Sequence, residues 1–302
     1  VTINEHLTTF AGLPVVSWDT VPDDPSSVAW RIDTMGEDED HFAKALAAVI
    51  ERTGPDGPAA IVIGDWDGAF DDGFDAELLT DHADQLRGLR ALFVGEMTFE
   101  QCEISWINQG DMTPILEAFP GLEHLWIRGS QGLEFPTMRH EGLRHLVLQS
   151  GGLPASVVRS ISACDLPNLA HLELWLGVDN YGGDVRADDL SVILAGRALP
   201  SLISLALRNA EIADEVAEAV ASAPVVARVT ELDLSMGALG DDGAAALLAG
   251  QPLTHLSRLD LHHHFMSEDM TKRLVDELKG VLVDVSDPQQ EEEWGRYTEV
   301  SE

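Results

Sequence analysis

Cysteine is scarce in this 302-residue sequence: Cys102 and Cys164 are its two. That is too few for the disulfide framework of a small extracellular fold, and it points to a reducing cytosol. Basic residues are scarce too, with 18 Lys and Arg against 53 Asp and Glu and a net charge of −35. Nucleic acids and anionic membrane surfaces both require a basic footprint, so neither is an expected partner, and encounters are biased toward basic ones. No apolar run approaches the ~20 residues of a membrane helix. The opening residues, Val1 to Leu7, lack the basic-then-apolar order of a secretory signal. No glycine-rich phosphate loop follows a strand-like segment, and no Gly-x-Ser-x-Gly elbow occurs. The expectation is a cytoplasmic protein without a cofactor.

What is present is repetition. Leu202-Ile-Ser-Leu205-Ala-Leu207, Val229-Thr-Glu-Leu232-Asp-Leu234 and Leu256-Ser-Arg-Leu259-Asp-Leu261 share one phrase, spaced 27 and 27 residues apart. A fixed period of this size marks a repeat array. Positions 1, 4 and 6 of the phrase are apolar. On an extended strand, positions 4 and 6 share one face while 3, 5 and 7 take the other. Further copies start at Leu89, Leu122, Leu143 and Leu169, a weaker one at Gly280, and Ser27 and Pro58 fit the frame. The spacings are 31, 31, 33, 21, 26, 33, 27, 27 and 24.

Between the phrases lie helical patterns. Residues 40–50 carry apolar Phe42, Leu46, Val49 and Ile50, and Asp75 to Leu86 reads as the next helix. Asp214 to Ala221, Asp241 to Leu248 and Ser267 to Leu278 begin with residues suited to helix N-termini. The short unit from Leu122 holds Glu134-Phe-Pro-Thr-Met-Arg-His, a poor helix, so an extended connection is expected there. Alternating strand and helix implies a parallel α/β arrangement. Three segments follow: an irregular capping segment over 1–26, the array over 27–286, and an acidic tail over 287–302. The tail is long enough for Trp294 and Tyr297 either to cap the last helix or to fold back toward the apolar row of the sheet that runs from Val62 to Val147, with capping the first expectation.

The repeated phrase resembles the leucine-rich repeat of the long, ribonuclease-inhibitor-like type, and the chain is similar overall to cytosolic bacterial leucine-rich-repeat proteins. That resemblance implies a right-handed solenoid, or horseshoe. Its concave face would be a parallel β-sheet of about ten strands, with helices on the convex side. The family's turn asparagine, three places after position 6, is missing. Trp66, Met97, Ser130, Gly151, Gly177, Ala210, Gly237 and His264 stand there.

Proteins of this family usually act as binding surfaces, so the outward positions carry the functional expectation. Position 5 runs Arg31, Val62, Phe93, Trp126, Val147, Glu173, Ala206, Asp233, Asp260, Asp284. Position 3 includes His124, His145 and His171, and position 7 includes Arg128, Trp175 and Arg208. Strands ~4.8 Å apart turn each series into a ladder. The apolar row Val62–Phe93–Trp126–Val147 is either a binding surface or covered by the N-terminal segment or another part of the chain. The expected function is a non-enzymatic scaffold for a protein or peptide, contacted by Phe93, His124, Trp126, Arg128, His145, His171, Glu173, Trp175 and Arg208. One alternative is a metal-assisted hydrolase using His124, His145 and His171, although imidazoles in a flat ladder do not converge on one point. Another is a structural accessory of a larger complex. The acidic loop from Asp65 to Gly73 fails as an EF-hand, since Ala69, Phe70 and Ala76 occupy required ligand and glycine places. Cys164 reads as a buried small hydrophobe, and His262-His263-His264 as a polar turn.

Overall fold

The computed structural model describes residues 3–34, 41–66 and 68–302. Asp40, at the start of the first expected helix, Asp67 of the acidic loop, and Val1 and Thr2 lie outside them. The chain divides into two units, Val1–Gln149 (with Glu302) and Ser150–Ser301. No helix among the described residues is long and apolar enough to cross a membrane.

The first unit contains β1 (Thr9–Phe10), β2 (Leu13–Ser17), β3 (Ala29–Ile32), α1 (His41–Thr53), β4 (Ala60–Ile63), α2 (Glu77–Thr80), β5 (Ala91–Val94), α3 (Thr113–Ala118), β6 (His124–Arg128) and β7 (His145–Gln149). The two short strands β1 and β2 pair antiparallel, and from β2 to β7 each strand pairs parallel with the next. Position 4 of the phrase stays in register throughout: Trp30, Ile61, Leu92, Leu125 and Leu146 are successive partners. The unequal spacings are therefore absorbed in the connections, and the sheet keeps one frame.

Two details differ from expectation. Residues 1–26 are not irregular throughout, because Leu13 to Ser17 extends and pairs with β3, blunting that edge of the sheet. The helix expected from Asp75 to Leu86 is instead α2 followed by a 3-10 turn at Ala83–Gln85. Thr80, Asp81, His82 and Asp84 are weak helix formers. Hydrogen bonds of the tighter span, from His82 N to Leu79 O and from Gln85 N to His82 O, replace the α-helical ladder there. The connection from β6 to β7 is extended, as the Pro-containing segment requires. It is pinned by buried His140, whose ring meets Phe119 O and the Leu143 amide.

The second unit contains α4 (Ala155–Ala163), β8 (His171–Gly177), α5 (Ser191–Ala195), β9 (Ser204–Ala210), α6 (Ala213–Ala221), β10 (Glu231–Asp233), α7 (Asp241–Ala249), β11 (Arg258–Asp260), α8 (Glu268–Glu277) and β12 (Leu282–Asp284). Its five strands are parallel in chain order, with Leu172, Leu205, Leu232, Leu259 and Val283 in register. Leu205, Leu207, Val216, Val220, Leu232, Leu234, Leu247, Leu259 and Leu261 form its buried interior. Cys164 is buried at the end of α4.

Position 8 of the phrase adopts the left-handed conformation in four consecutive copies here: Asn209, Met236, His263 and Asp287, with φ of 53°, 67°, 54° and 57°. In the first unit Gly129 holds the same place, φ 92°, and there a Cβ would strike Ile107. With the turn asparagine absent, carboxylates staple successive repeats. Asp214 in the first turn of α6 accepts from Gly240 N (2.7 Å) and Gly243 N (3.1 Å) at the start of α7. Asp241, one period later, accepts from Ser267 N (2.7 Å) at the start of α8.

Candidate functional site

Outward positions of the first unit split into a covered and an accessible part. Phe10 of β1, with Leu7, Leu13 and Val15, packs over Ala29, Ala60, Val62, Ala91 and Phe93. Phe10 stands 5.9 Å from the Phe93 ring and 5.5 Å, edge-on, from that of Trp126. Val62 and Phe93 of the apolar row are thus covered by the N-terminal segment, and Phe93 is 0% exposed. That placement removes Phe93 from the surface on which the sequence reading put it. The physical reason is burial, since an apolar row left in water forfeits roughly 25 cal/mol per Å². His124, Trp126 and His145 remain half-buried on the face. The two imidazoles stack 4.2 Å apart at 11°, rung on rung, rather than converging.

Beside this row lies a buried charged group. Glu96 accepts from Leu7 N (2.7 Å), meets His6 Nδ1 (3.0 Å) and pairs with Arg31 (2.6 Å). Arg128 is almost wholly enclosed, at 1% exposure, and therefore is not on the surface either. Its guanidinium lies over Phe93, donates from Nε to Gln149 Oε1 (2.9 Å) and from Nη1 to the Met97 carbonyl. Among the described residues Arg128 Nη2 and Gln149 Nε2 have no hydrogen-bond partner. Burial pulls the guanidinium down to about 10, with the Glu96 charge opposing.

In the second unit the outward face is charged. Trp175 is fully buried, with Arg208 over its ring at 5.5 Å. The Trp175 indole donates to Glu173 Oε1 (2.7 Å), and Arg208 Nη1 reaches the same oxygen at 3.2 Å. Arg208 also meets Asp233 (3.3 Å), so Trp175 and Arg208 are enclosed members of a network rather than exposed anchors. Half-buried His171 lies 3.5 Å from Glu173. Burial works to raise the Glu173 carboxyl, yet the His171 hydrogen bond and the Arg208 charge hold it at about 2. Burial prevails over Arg208 at Asp233, which is raised.

The residues expected to make contacts lie on the middle copies, and a further row of acids lies on β10 to β12. There Asp233, Asp260 and Asp284 accept in turn from the backbone of Ser235, His262 and Ser286, at 2.9, 3.1 and 3.1 Å. The signal was in the sequence, an acid two places before a small or polar residue in three consecutive copies. Around this row Glu231, Arg258 and Leu282 are exposed. Arg258 bridges Asp260 (2.7 Å) and Asp284 (3.7 Å).

The three consecutive histidines do three different jobs. His262 lies between Asp260 (2.7 Å) and Glu299 (3.6 Å), and its hydrogen bonds to these two carboxylates push it up to about 9. His263 packs edge-on against Tyr297 and Phe265. Buried His264 bonds Val285 O (3.0 Å) and accepts from Met266 N (3.1 Å), a turn staple at the place of the missing asparagine. Among the described residues Asp260, His262 and Asp284 form a group with metal-ligand spacing, their ligand atoms within 4.8 Å.

The tail is held within the second unit. It crosses back over the turns after β9, β10 and β11. Asn209 pairs its side-chain amide with both backbone groups of Val300, receiving Val300 N at 3.0 Å and donating to its carbonyl. Glu299 N donates to Met236 O (2.9 Å), and Arg296 pairs with Asp214 (2.9 Å). Tyr297 meets His263, while Trp294 is 78% exposed.

Neither a protein-family model nor a curated protein matches this chain. Among solved structures, the crystal structure of a Bacteroides fragilis protein, a structural-genomics target, is similar. The two share 30% identity and a TM-score of 0.81, over 90% of this chain and 78% of that one.

Proposed function

This chain belongs to the same family as the Bacteroides fragilis protein, and on that footing we propose that it is a non-enzymatic scaffold whose sheet face binds a protein or peptide rich in basic side chains. Each unit is built of leucine-rich repeats of the long type, with right-handed crossovers and the helices opposite the outward strand positions. The in-register leucines at position 4 support that assignment. The observation that carries the function is the outward face of β10 to β12. Its acid row is held rigid by its own hydrogen bonds, and Glu231, Arg258 and Leu282 stand exposed beside it. Preformed carboxylates spaced ~4.8 Å apart suit a run of Lys or Arg side chains on an extended segment. In the first unit His124, Trp126 and His145 are the accessible remainder, and in the second His171 and Glu173 extend the polar surface.

The test compares two charge-matched variants. Glu231→Gln with Asp233→Asn and Asp284→Asn removes three charges from the face; Glu268→Gln with Asp269→Asn and Asp276→Asn removes three from α8. Against the wild-type protein used as bait in a native lysate, and against a synthetic Arg-rich peptide, the face variant loses at least about tenfold in affinity. The α8 variant changes by less than about threefold. Equal losses in both would reduce the attraction to net charge and remove the assignment of the face.

A further inference from the structure

The loops that follow β4 and β5 gather aromatic side chains at the surface of the first unit. Phe70, Phe99 and Trp106 are 58%, 40% and 46% exposed. With Glu100 and Glu103 they line an open cavity of about 340 Å³. The Phe70 and Trp106 rings lie 5.6 Å apart, inclined by 32°. The Trp106 indole N–H is taken by Glu103 Oε2 at 3.0 Å, which fixes the ring and turns the carboxylate toward it. Burial raises the Cys102 thiol at the cavity wall to about 11, and the charges of Asp65 and Glu103 add to the rise, so the field at this wall is negative. Among the described residues lining the cavity there is no Lys or Arg.

Fold stability does not account for this arrangement. Three large aromatics left partly in water forfeit burial, and contiguous exposed apolar surface marks an interaction site. The chemistry narrows the occupant. An anion is repelled by Glu100, Glu103 and Asp65. A hard divalent ion wants six or more oxygen ligands, and ring faces supply none. A neutral apolar ligand leaves the carboxylates unused. A cation whose head sheds water readily gains from both the negative ring faces and the carboxylates.

We propose that the cavity lined by Phe70, Phe99 and Trp106 binds an organic cation with a weakly hydrated head, a quaternary ammonium or a guanidinium. The site is separate from the sheet face assigned above and does not rest on that assignment. Its ligand is either a free small cation or the basic side chain of a partner, and two probes distinguish these sources.

Choline and N-acetylargininamide are titrated calorimetrically into the full-length protein, with 3,3-dimethyl-1-butanol, the uncharged isostere of choline, as control. At least one cation is expected to bind with 1:1 stoichiometry, and the alcohol at least about tenfold more weakly. The tighter of the two cations identifies the source. Trp106→Leu and Phe99→Leu, both at exposed positions, weaken that binding by at least about tenfold, and Glu103→Gln weakens it less. Circular dichroism and melting of each variant match wild type. The sheet-face variant Glu231→Gln, Asp233→Asn, Asp284→Asn binds the cation normally, so failure here is distinguishable from failure there. The proposal is overturned if neither cation binds, if the alcohol binds as tightly, or if Trp106→Leu binds as well as wild type.

Discussion

Replacing Gln149 by glutamate is expected to stabilise the protein, although it adds a further charge to an interior that already holds Glu96 and Arg128. Among the described residues buried Arg128 donates to two neutral acceptors, the Gln149 and Met97 oxygens, while the Glu96 charge also acts on it. The Nε side of the guanidinium is a fork. One tooth bonds Gln149 Oε1, the other, Nη2, has no acceptor, and the second atom of the amide is itself an unpartnered donor. Gln149→Glu turns that atom into an acceptor, so the fork closes on a carboxylate. Satisfying Nη2 and deleting the orphaned amide donor each recover about 1–3 kcal/mol. Bringing a carboxylate inside costs several kcal/mol, offset by the adjacent guanidinium already there. The net expectation is a gain of about 1–2 kcal/mol at pH 7, or roughly 2–8 °C in Tm. Arg128 depresses the pKa of the new carboxyl. The gain is therefore present above its unperturbed value of about 4.3 and fades as pH falls through the lower folded value. Urea denaturation of Gln149→Glu, Gln149→Leu and wild type at pH 7 and pH 3 measures this. Gln149→Leu strips Arg128 of an acceptor and is expected to lose about 1–3 kcal/mol. A lower midpoint for Gln149→Glu at pH 7 would refute the reading of Arg128 as a guanidinium short of an acceptor.

Three further outcomes are expected. Asp214→Ala and Asp241→Ala remove the staples at the starts of α7 and α8 and should each cost about 1–2 kcal/mol in urea denaturation; unchanged midpoints would show the staples to be idle. Asn209→Ala releases the amide pair with Val300 and should speed tryptic cleavage after Arg296 by at least about tenfold without lowering the global midpoint comparably. Cleavage at the wild-type rate would mean the tail is held elsewhere. His262 is raised to about 9 by its hydrogen bonds to Asp260 and Glu299. Its contribution is therefore complete below about pH 6.5, the unfolded value, and is lost as pH rises through about 9. The stability difference between wild type and His262→Gln should be flat from pH 5 to 6.5 and close by pH 10; a difference that grows with pH would contradict the protonated bridge.

The strand frame was legible because register depends on one short phrase. An apolar residue at position 4 sufficed, and within each unit every copy falls opposite its neighbour, five copies in the first and five in the second, despite unequal spacings. Burial of the outward residues was not legible, because it is decided by what crosses the face from elsewhere in the chain. Phe10 lies 83 positions from the Phe93 it covers, and nothing in either local pattern announces the pair. Trp175 and Arg208 misled for a related reason. Trp and Arg are favoured binding anchors, but here the indole and the guanidinium meet on half-buried Glu173, and Arg208 turns its remaining donors to Asp233 and Ser235. The helix expected over Asp75 to Leu86 failed at its weak helix formers, where spacing alone overstated regularity. The Asp214 and Asp241 staples stood at one frame position, visible in retrospect as acids in register rather than as helix starters alone.

The central claim is that a basic partner is held on the outward face of β10 to β12. Hydrogen–deuterium exchange of the protein, alone and bound to its captured partner or to the Arg-rich peptide, tests it most directly. The account predicts new protection over residues 231–235, 258–262 and 282–286, with residues 241–249 and 268–277 of α7 and α8 unchanged. Protection confined to those helices, with the three strand segments exchanging as in the free protein, would contradict it.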